Sequence, residues 1–246
     1  MKKLVVWGLF DDANRCYYQS LKDSYEVYSI GINKKNEKNY HQINLSILNN
    51  DLFNQLNKLP KPDIILASPP CNSWSKADTN TIFLDSINIE NDKASFRFKT
   101  FNFYEKHNKK SHKNKRRDPV SKVKLFLNGF STALSTIEII KHYKPKYFAI
   151  ENPYHSNIWK VLEFFNFSNK YTINKTMYSN YDSEFTDKPT CFLSNISLNL
   201  KWEKPKRSGK NLNTFSRKDR SNIPKELISE ILTRFIEDMR NKKEQN

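Results

Sequence analysis

Short apolar runs broken by polar loops recur through the first 67 residues. Leu4-Val5-Val6-Trp7, Tyr25 to Ile30 and Asp63-Ile64-Ile65-Leu66-Ala67 are of strand length and almost continuously apolar. Strands of that kind are buried on both faces, as in a parallel sheet covered by helices. Between them, the stretches from Arg15 to Leu21 and from Asp51 to Leu56 have the length and mix of short helices. Pro60 and Pro62 end the second, because proline lacks the amide hydrogen and clashes with the preceding turn. Ile43, Leu45, Ile47 and Leu48 predict a short strand or turn. This alternation predicts an α/β fold built on a doubly wound, mostly parallel sheet.

The second half changes rhythm. Leu127, Phe130, Ala133, Leu134, Ile137 and Ile140 recur at helical spacing, predicting an amphipathic helix of about 15 residues from Leu125 that packs on the sheet. Pro145 closes it, and Lys146-Tyr147-Phe148-Ala149-Ile150 predicts another strand. Ile158-Trp159 and Val161-Leu162 begin a further helical stretch. Tyr171 to Met177 and Thr190 to Ile196 alternate as strands do, around a polar loop at 178–189. They predict an antiparallel hairpin at one edge of the sheet. After Pro224, which suits a first helical turn, Leu227, Ile228, Ile231, Leu232, Phe235, Ile236 and Met239 form one apolar stripe. No internal repeat is visible. The expected organisation is a core domain at 1–202 and a basic linker with a docking helix at 203–246.

Composition adds a partner to this outline. The 246 residues are 37% hydrophobic and 28% charged, with a net charge of +16. The excess is concentrated. Residues 76–124 read as a basic insertion, with seven Lys/Arg and no acid between Lys106 and Arg117, and with Phe96, Phe98, Phe101, Phe103 and Tyr104 ahead of them. Lys109, Lys110, Lys113, Lys115, Arg116 and Arg117 belong to this segment. A second basic run holds Arg207, Lys210, Arg217 and Arg220. Cations release counterions on meeting phosphates, and interleaved aromatics stack on bases. DNA is therefore the expected partner, against the plainer reading of a solvated lysine-rich surface. Three widely spaced cysteines, Cys16, Cys71 and Cys191, argue against a disulfide framework or a zinc site. They fit a reducing cytoplasmic setting, and no metal site is expected. No stretch approaches 18 apolar residues, so no membrane span is expected.

The candidate chemistry lies at two strand ends. One apolar run stops abruptly in Ser68-Pro69-Pro70-Cys71, and another stops in Glu151-Asn152-Pro153. In open α/β sheets ligands bind beyond the carboxyl ends of the strands. One end offers a thiol fixed by two prolines and the other a carboxylate. A lone cysteine is usually inert and a lone glutamate is often structural. A thiol and a carboxylate at strand ends of one sheet suit nucleophilic addition assisted by an acid.

Ser68-Pro69-Pro70-Cys71 resembles the catalytic Pro-Cys motif of the DNA cytosine-5 methyltransferases, and Glu151-Asn152-Pro153 resembles their Glu-Asn-Val/Pro motif. Order, strand context and the 80-residue separation agree. Lys188-Pro189-Thr190 with Ser194-Asn195, and Arg220 to Ile228, resemble the later segments of short phage-type members. The resemblance implies a Rossmann-like methyltransferase sheet. It also implies S-adenosylmethionine as donor and double-stranded DNA, with the target cytosine flipped out, as substrate. By carry-over Cys71 is the nucleophile that adds to C6, Glu151 supports N3 and Asn152 shapes the loop. Phe10, Asp11, Ile32, Asn33, Ser46, Ile47 and Pro69 line the cofactor. Lys188 joins the two basic segments in holding DNA.

The cofactor end departs from the family pattern. Asp12 and Asn14 stand where the first loop has glycines, Gly31 stands where an acid holds the ribose, and Ser46 replaces an Asp before Ile47. These changes leave two alternatives beside the methyltransferase: a DNA-binding pseudoenzyme or partner subunit, and an enzyme that modifies cytosine C5 from another donor.

Overall fold

The computed structural model describes residues 3–12, 14–74, 83–84, 97–110, 118–203, 219 and 221–244. Seven strands form the main sheet: β1 (Val5–Leu9), β2 (Glu26–Gly31), β3 (Tyr40–Gln42), β4 (Ile64–Ala67), β7 (Tyr147–Pro153), β8 (Thr172–Met177) and β9 (Pro189–Ser194). Their order is β3-β2-β1-β4-β7-β9-β8. The first five are parallel, while β9 runs antiparallel to both β7 and β8. This is a Rossmann-like methyltransferase fold with an antiparallel edge hairpin. A separate two-stranded ladder pairs β5 (Phe83–Leu84) with β6 (Arg97–Phe98).

Strand alternation sorts the core into two layers. Val5, Trp7, Leu9, Ile65, Ala67, Phe148 and Ile150 face α2 (Leu52–Leu56), α4 (Pro119–Tyr143) and α5 (Ile158–Phe164). Val6, Ile64, Leu66, Tyr147 and Ala149 face α1 (Cys16–Leu21) and α6 (Lys225–Glu244). The predicted C-terminal stripe is buried here through Leu227, Ile228, Ile231, Leu232 and Phe235. Phe235 stacks on Tyr147 at 4.9 Å.

Three elements differ from the expectation. The long helix α4 has 25 residues, not about 15, because Asp118 accepts the amides of Val120 and Ser121 and Pro119 opens the first turn. Its most apolar window passes the length and composition test for a membrane span, but half of that window is buried in the protein. α4 is the core helix on one face of the sheet. Part of the basic segment is helical too: α3 (Phe101–Lys110) carries Lys109 and Lys110 exposed at its end. The strand at 40–42 is not among the expected elements, and residues 43–48 after it take the turn alternative of the expectation. There Ser135 of α4 donates to the Leu45 carbonyl at 2.6 Å and Ile47 N–H donates to the Ser131 carbonyl at 3.2 Å.

Candidate functional site at the carboxyl end of the sheet

The chain builds β1, β2 and β3 outward in one direction, then crosses back to place β4 on the other side of β1. The crevice at such a reversal is where open α/β sheets receive ligands. Two loops border it. One follows β1 and contains Phe10 to Asn14; the other follows β4 and contains Ser68 to Cys71.

On the β4 side, Ala67 pairs with Ile150. Ser68 and Glu151 are therefore the next residues after that pair: the β4 chain leaves the sheet there, while Glu151, Asn152 and Pro153 continue β7 against β9. Asn152 locks them. It is fully buried, and its Nδ2 donates to the Pro69 carbonyl at 2.9 Å while its Oδ1 accepts from Ser156 Oγ at 2.6 Å. Pro70 leads directly into a 3₁₀ turn, Cys71–Ser73, closed by Trp74 N–H donating to the Cys71 carbonyl. Helix α4 presses on this turn. Ser73 Oγ donates to the Leu125 carbonyl at 2.5 Å, and a Cβ at Gly129 would lie 2.5 Å from Ser73 Cβ. Gly129 is thus needed for close approach. The turn is held from behind and Cys71 is left partly exposed.

Glu151 is 6% exposed and has two partners. Tyr178 Oη donates to its Oε1 at 3.0 Å, and Lys188 Nζ lies 3.6 Å from the same oxygen. The Lys188 ammonium also sits over the Tyr178 ring, 4.8 Å from its centre. Strand register explains the meeting. Met177 pairs with Pro189, and Pro153 pairs with Thr190. Tyr178, Lys188 and Glu151 therefore lie at the same end of the sheet. Deeper in, Tyr17 Oη and Ser68 Oγ share a hydrogen bond at 2.6 Å. Burial, with the Glu151 charge second, holds the Tyr17 phenol well above its ordinary range; Tyr178 is raised by the same two causes in the same order. Both stay neutral. Burial likewise pushes the Cys71 thiol up, Lys188 pulls it down and Glu151 raises it again. The resting thiol is protonated, and the Lys188 ammonium favours the thiolate. Cys16 and Cys191 are raised by burial to about 11 and about 12.

On the β1 side, Phe10 ends the strand in the left-handed region, φ 61°. Asp11 turns inward: its carboxylate accepts from the amides of Tyr17 and Tyr18 and from Ser29 Oγ. It secures the start of α1 and is buried. Asp12 turns the other way, toward β2 and β3. Its Oδ1 accepts from Asn33 N–H at 2.9 Å and Tyr40 Oη at 2.7 Å. Asn14 bonds to Asn222, just ahead of α6. Ile32 is 58% exposed at the end of β2. Ser46 is buried and accepts from Leu48 N–H.

The structure thus brings Cys71, Glu151, Asn152 and Pro69 together around one strand end. Phe10, Asp11, Ile32, Asn33, Ser46 and Ile47 lie across the reversal on the β1–β3 side. Lys188, expected on the DNA side, lies against Glu151 and is 17% exposed. Tyr178, Tyr17, Ser156 and Gly129 were not singled out in the sequence; no local pattern marks them, since their neighbours come from distant strands. Lys113, Lys115, Arg116, Arg117, Arg207, Lys210, Arg217 and Arg220 lie outside the described residues.

The doubly wound sheet with its antiparallel edge hairpin is of the Rossmann-like methyltransferase class, and it holds a thiol and a carboxylate at adjoining strand ends. Residues 16–88 match the family model for C-5 cytosine-specific DNA methylase, a stretch that contains Cys71 and stops short of Glu151. Over that stretch the chain is similar to the DNA cytosine-5 methyltransferases, and the match supports cytosine methyltransferase activity. Comparison with curated proteins returns no match.

Proposed function

We propose that the protein methylates C5 of a cytosine flipped out of double-stranded DNA, with Cys71 forming a transient bond to C6. The observation that carries this reading is the Asn152 hydrogen bond to the Pro69 carbonyl. It couples the thiol-bearing loop to the carboxylate-bearing strand end, as addition at C6 with support at N3 requires.

Cytosine C5 is a poor nucleophile while the ring is aromatic. Addition of the Cys71 thiolate to C6 ends that aromaticity and makes C5 enamine-like. Glu151, in its carboxylic acid form or through a shared proton, supports N3 as negative charge develops there. Tyr178 and Lys188 fix the orientation of Glu151, and Lys188 adds positive charge beside the site. Once C5 carries the methyl group, its proton passes to water acting as base, the C5–C6 double bond re-forms, and the C6–S bond breaks to release the Cys71 thiolate. The proton on resting Cys71 must leave before attack, and the Lys188 ammonium favours that loss.

S-adenosylmethionine supplies the electrophilic methyl group. For its nucleoside half, Ile32 offers an exposed apolar surface at the end of β2, next to Asn33; Phe10, Pro69, Ser46 and Ile47 are the further residues that the family resemblance assigns to it. Asp11 already holds the first amides of α1, so it positions the loop. DNA is held by the basic segments, including Lys109 and Lys110 on α3. The alternative reading is a DNA-binding pseudoenzyme or partner subunit, favoured by Asp12, Asn14, Gly31 and Ser46 at the cofactor end.

Incubation with S-adenosylmethionine and duplex DNA containing 5-fluorocytosine separates the two. Fluorine cannot leave as a cation, so the thiol adduct is expected to persist as a denaturant-stable complex. Cys71→Ala should abolish it with no change in melting temperature. A wild-type protein that binds the DNA but never becomes attached to it leaves only the pseudoenzyme.

A further inference from the structure

Gly31 and Asp12 are complementary. A Cβ built on Gly31 would overlap the Asp12 carboxylate, with all three of that group's heavy atoms inside van der Waals distance. Gly31 is not among the residues at positive φ, so the structure uses its missing side chain and not its backbone freedom. The carboxylate therefore lies over the end of β2, where a side chain at position 31 would begin. Its orientation is fixed by Asn33 N–H and Tyr40 Oη, both on Oδ1. Oδ2 accepts no hydrogen bond among the described residues.

In doubly wound nucleotide-binding folds an acid at the end of the second strand hydrogen-bonds the ribose hydroxyls. Position 31 cannot supply it. We infer that Asp12 does so from the β1 loop: its carboxylate, seated over Gly31, accepts from the ribose 2′ and 3′ hydroxyls of the cofactor. The carboxylate has moved from one side of the crevice to the other, and the glycine is the vacancy that receives it. Asp12 thus faces the ribose and is turned away from the negatively charged amino-acid end of the donor. This inference rests on the reading that the crevice holds an adenosyl cofactor.

Calorimetry on the full chain tests it, with S-adenosylmethionine and its 2′,3′-dideoxy counterpart as ligands. The wild type should favour the ribose-bearing ligand, and Asp12→Asn should weaken that ligand at least tenfold while leaving the dideoxy ligand unchanged. The double substitution Asp12→Gly with Gly31→Asp should recover most of the preference, which Asp12→Gly alone lacks. Equal weakening toward both ligands would reduce Asp12 to a loop anchor and overturn the inference. Unchanged binding in Asp12→Asn overturns it too, with the methyltransferase reading intact. Absence of wild-type binding at millimolar ligand, with DNA present, removes both.

Discussion

On the β4–β7 side of the switch point, the groups expected from the sequence stand where their chain positions imply. Ala67 and Ile150 are paired, Cys71 follows in the turn beyond β4, and Glu151 follows within β7. On the β1–β2 side Asp12, Asn14 and Gly31 depart from the family pattern, yet a carboxylate still occupies the end of β2, delivered by Asp12. On the proposed function, the difference follows from what each side must hold. A nucleophile and its acid act through atoms at defined distances, so residue type and position are fixed together. A ribose needs only an acceptor within reach, and a loop can bring one from a neighbouring strand.

Breaking the first side should have the larger effect. Glu151→Gln keeps the side-chain shape and an acceptor for Tyr178, but removes the charge that pairs with Lys188 and the acid proposed to serve N3. General acid–base groups contribute on the order of 10² to 10⁴ in rate, and the methylation rate should fall by that amount with DNA affinity little changed. Single-turnover methylation beside a DNA titration measures both. A fall below threefold would show that Glu151 is only structural.

Gly129→Ala probes how the thiol loop is held without touching a reacting group. The added methyl meets Ser73 Cβ and Oγ across the α4 contact. Overpacking in a well-filled interior costs roughly 1–3 kcal/mol. A lowered melting temperature and a smaller loss of methylation than in Glu151→Gln are expected. Normal stability and activity would mean that the turn carrying Cys71 yields freely.

How far the sequence reached depended on where each partner lies in the chain. Strands β1, β2, β4 and β7 were legible because their apolar runs are continuous and both faces are buried. The start of α4 was not. Val120, Val123 and Leu127 are exposed, so the apolar periodicity that reports burial begins a turn or more after Asp118 and Pro119 open the helix. Lys188 was placed with the DNA cations because local sequence shows only a charge before a proline. Its contact with Glu151 exists because β9 runs antiparallel to β7, and that register is a tertiary fact. Asp12 was read through its own neighbours as an intrusion at the first loop. The space that accommodates it belongs to Gly31, on the next strand.

The Lys188 contact also predicts the chemistry of Cys71, with a smaller effect. Burial raises the thiol, so alkylation by iodoacetamide should be slow at neutral pH and should keep rising with pH beyond the ordinary thiol range. The two nearby charges act in opposite directions. The Lys188 ammonium stabilises the thiolate, so Lys188→Met raises the thiol further and slows alkylation several-fold at fixed pH. The Glu151 carboxylate destabilises the thiolate, so Glu151→Gln speeds it. Cys16 and Cys191 are raised to about 11 and about 12, and a Cys71→Ala control separates their labelling by mass spectrometry. Opposite shifts in the two variants, with unchanged melting temperatures, would identify electrostatics at the site as the cause. Shifts of the same sign would mean that both substitutions simply open the crevice to reagent, and the assignment of Lys188 as the thiolate's charge partner would be lost.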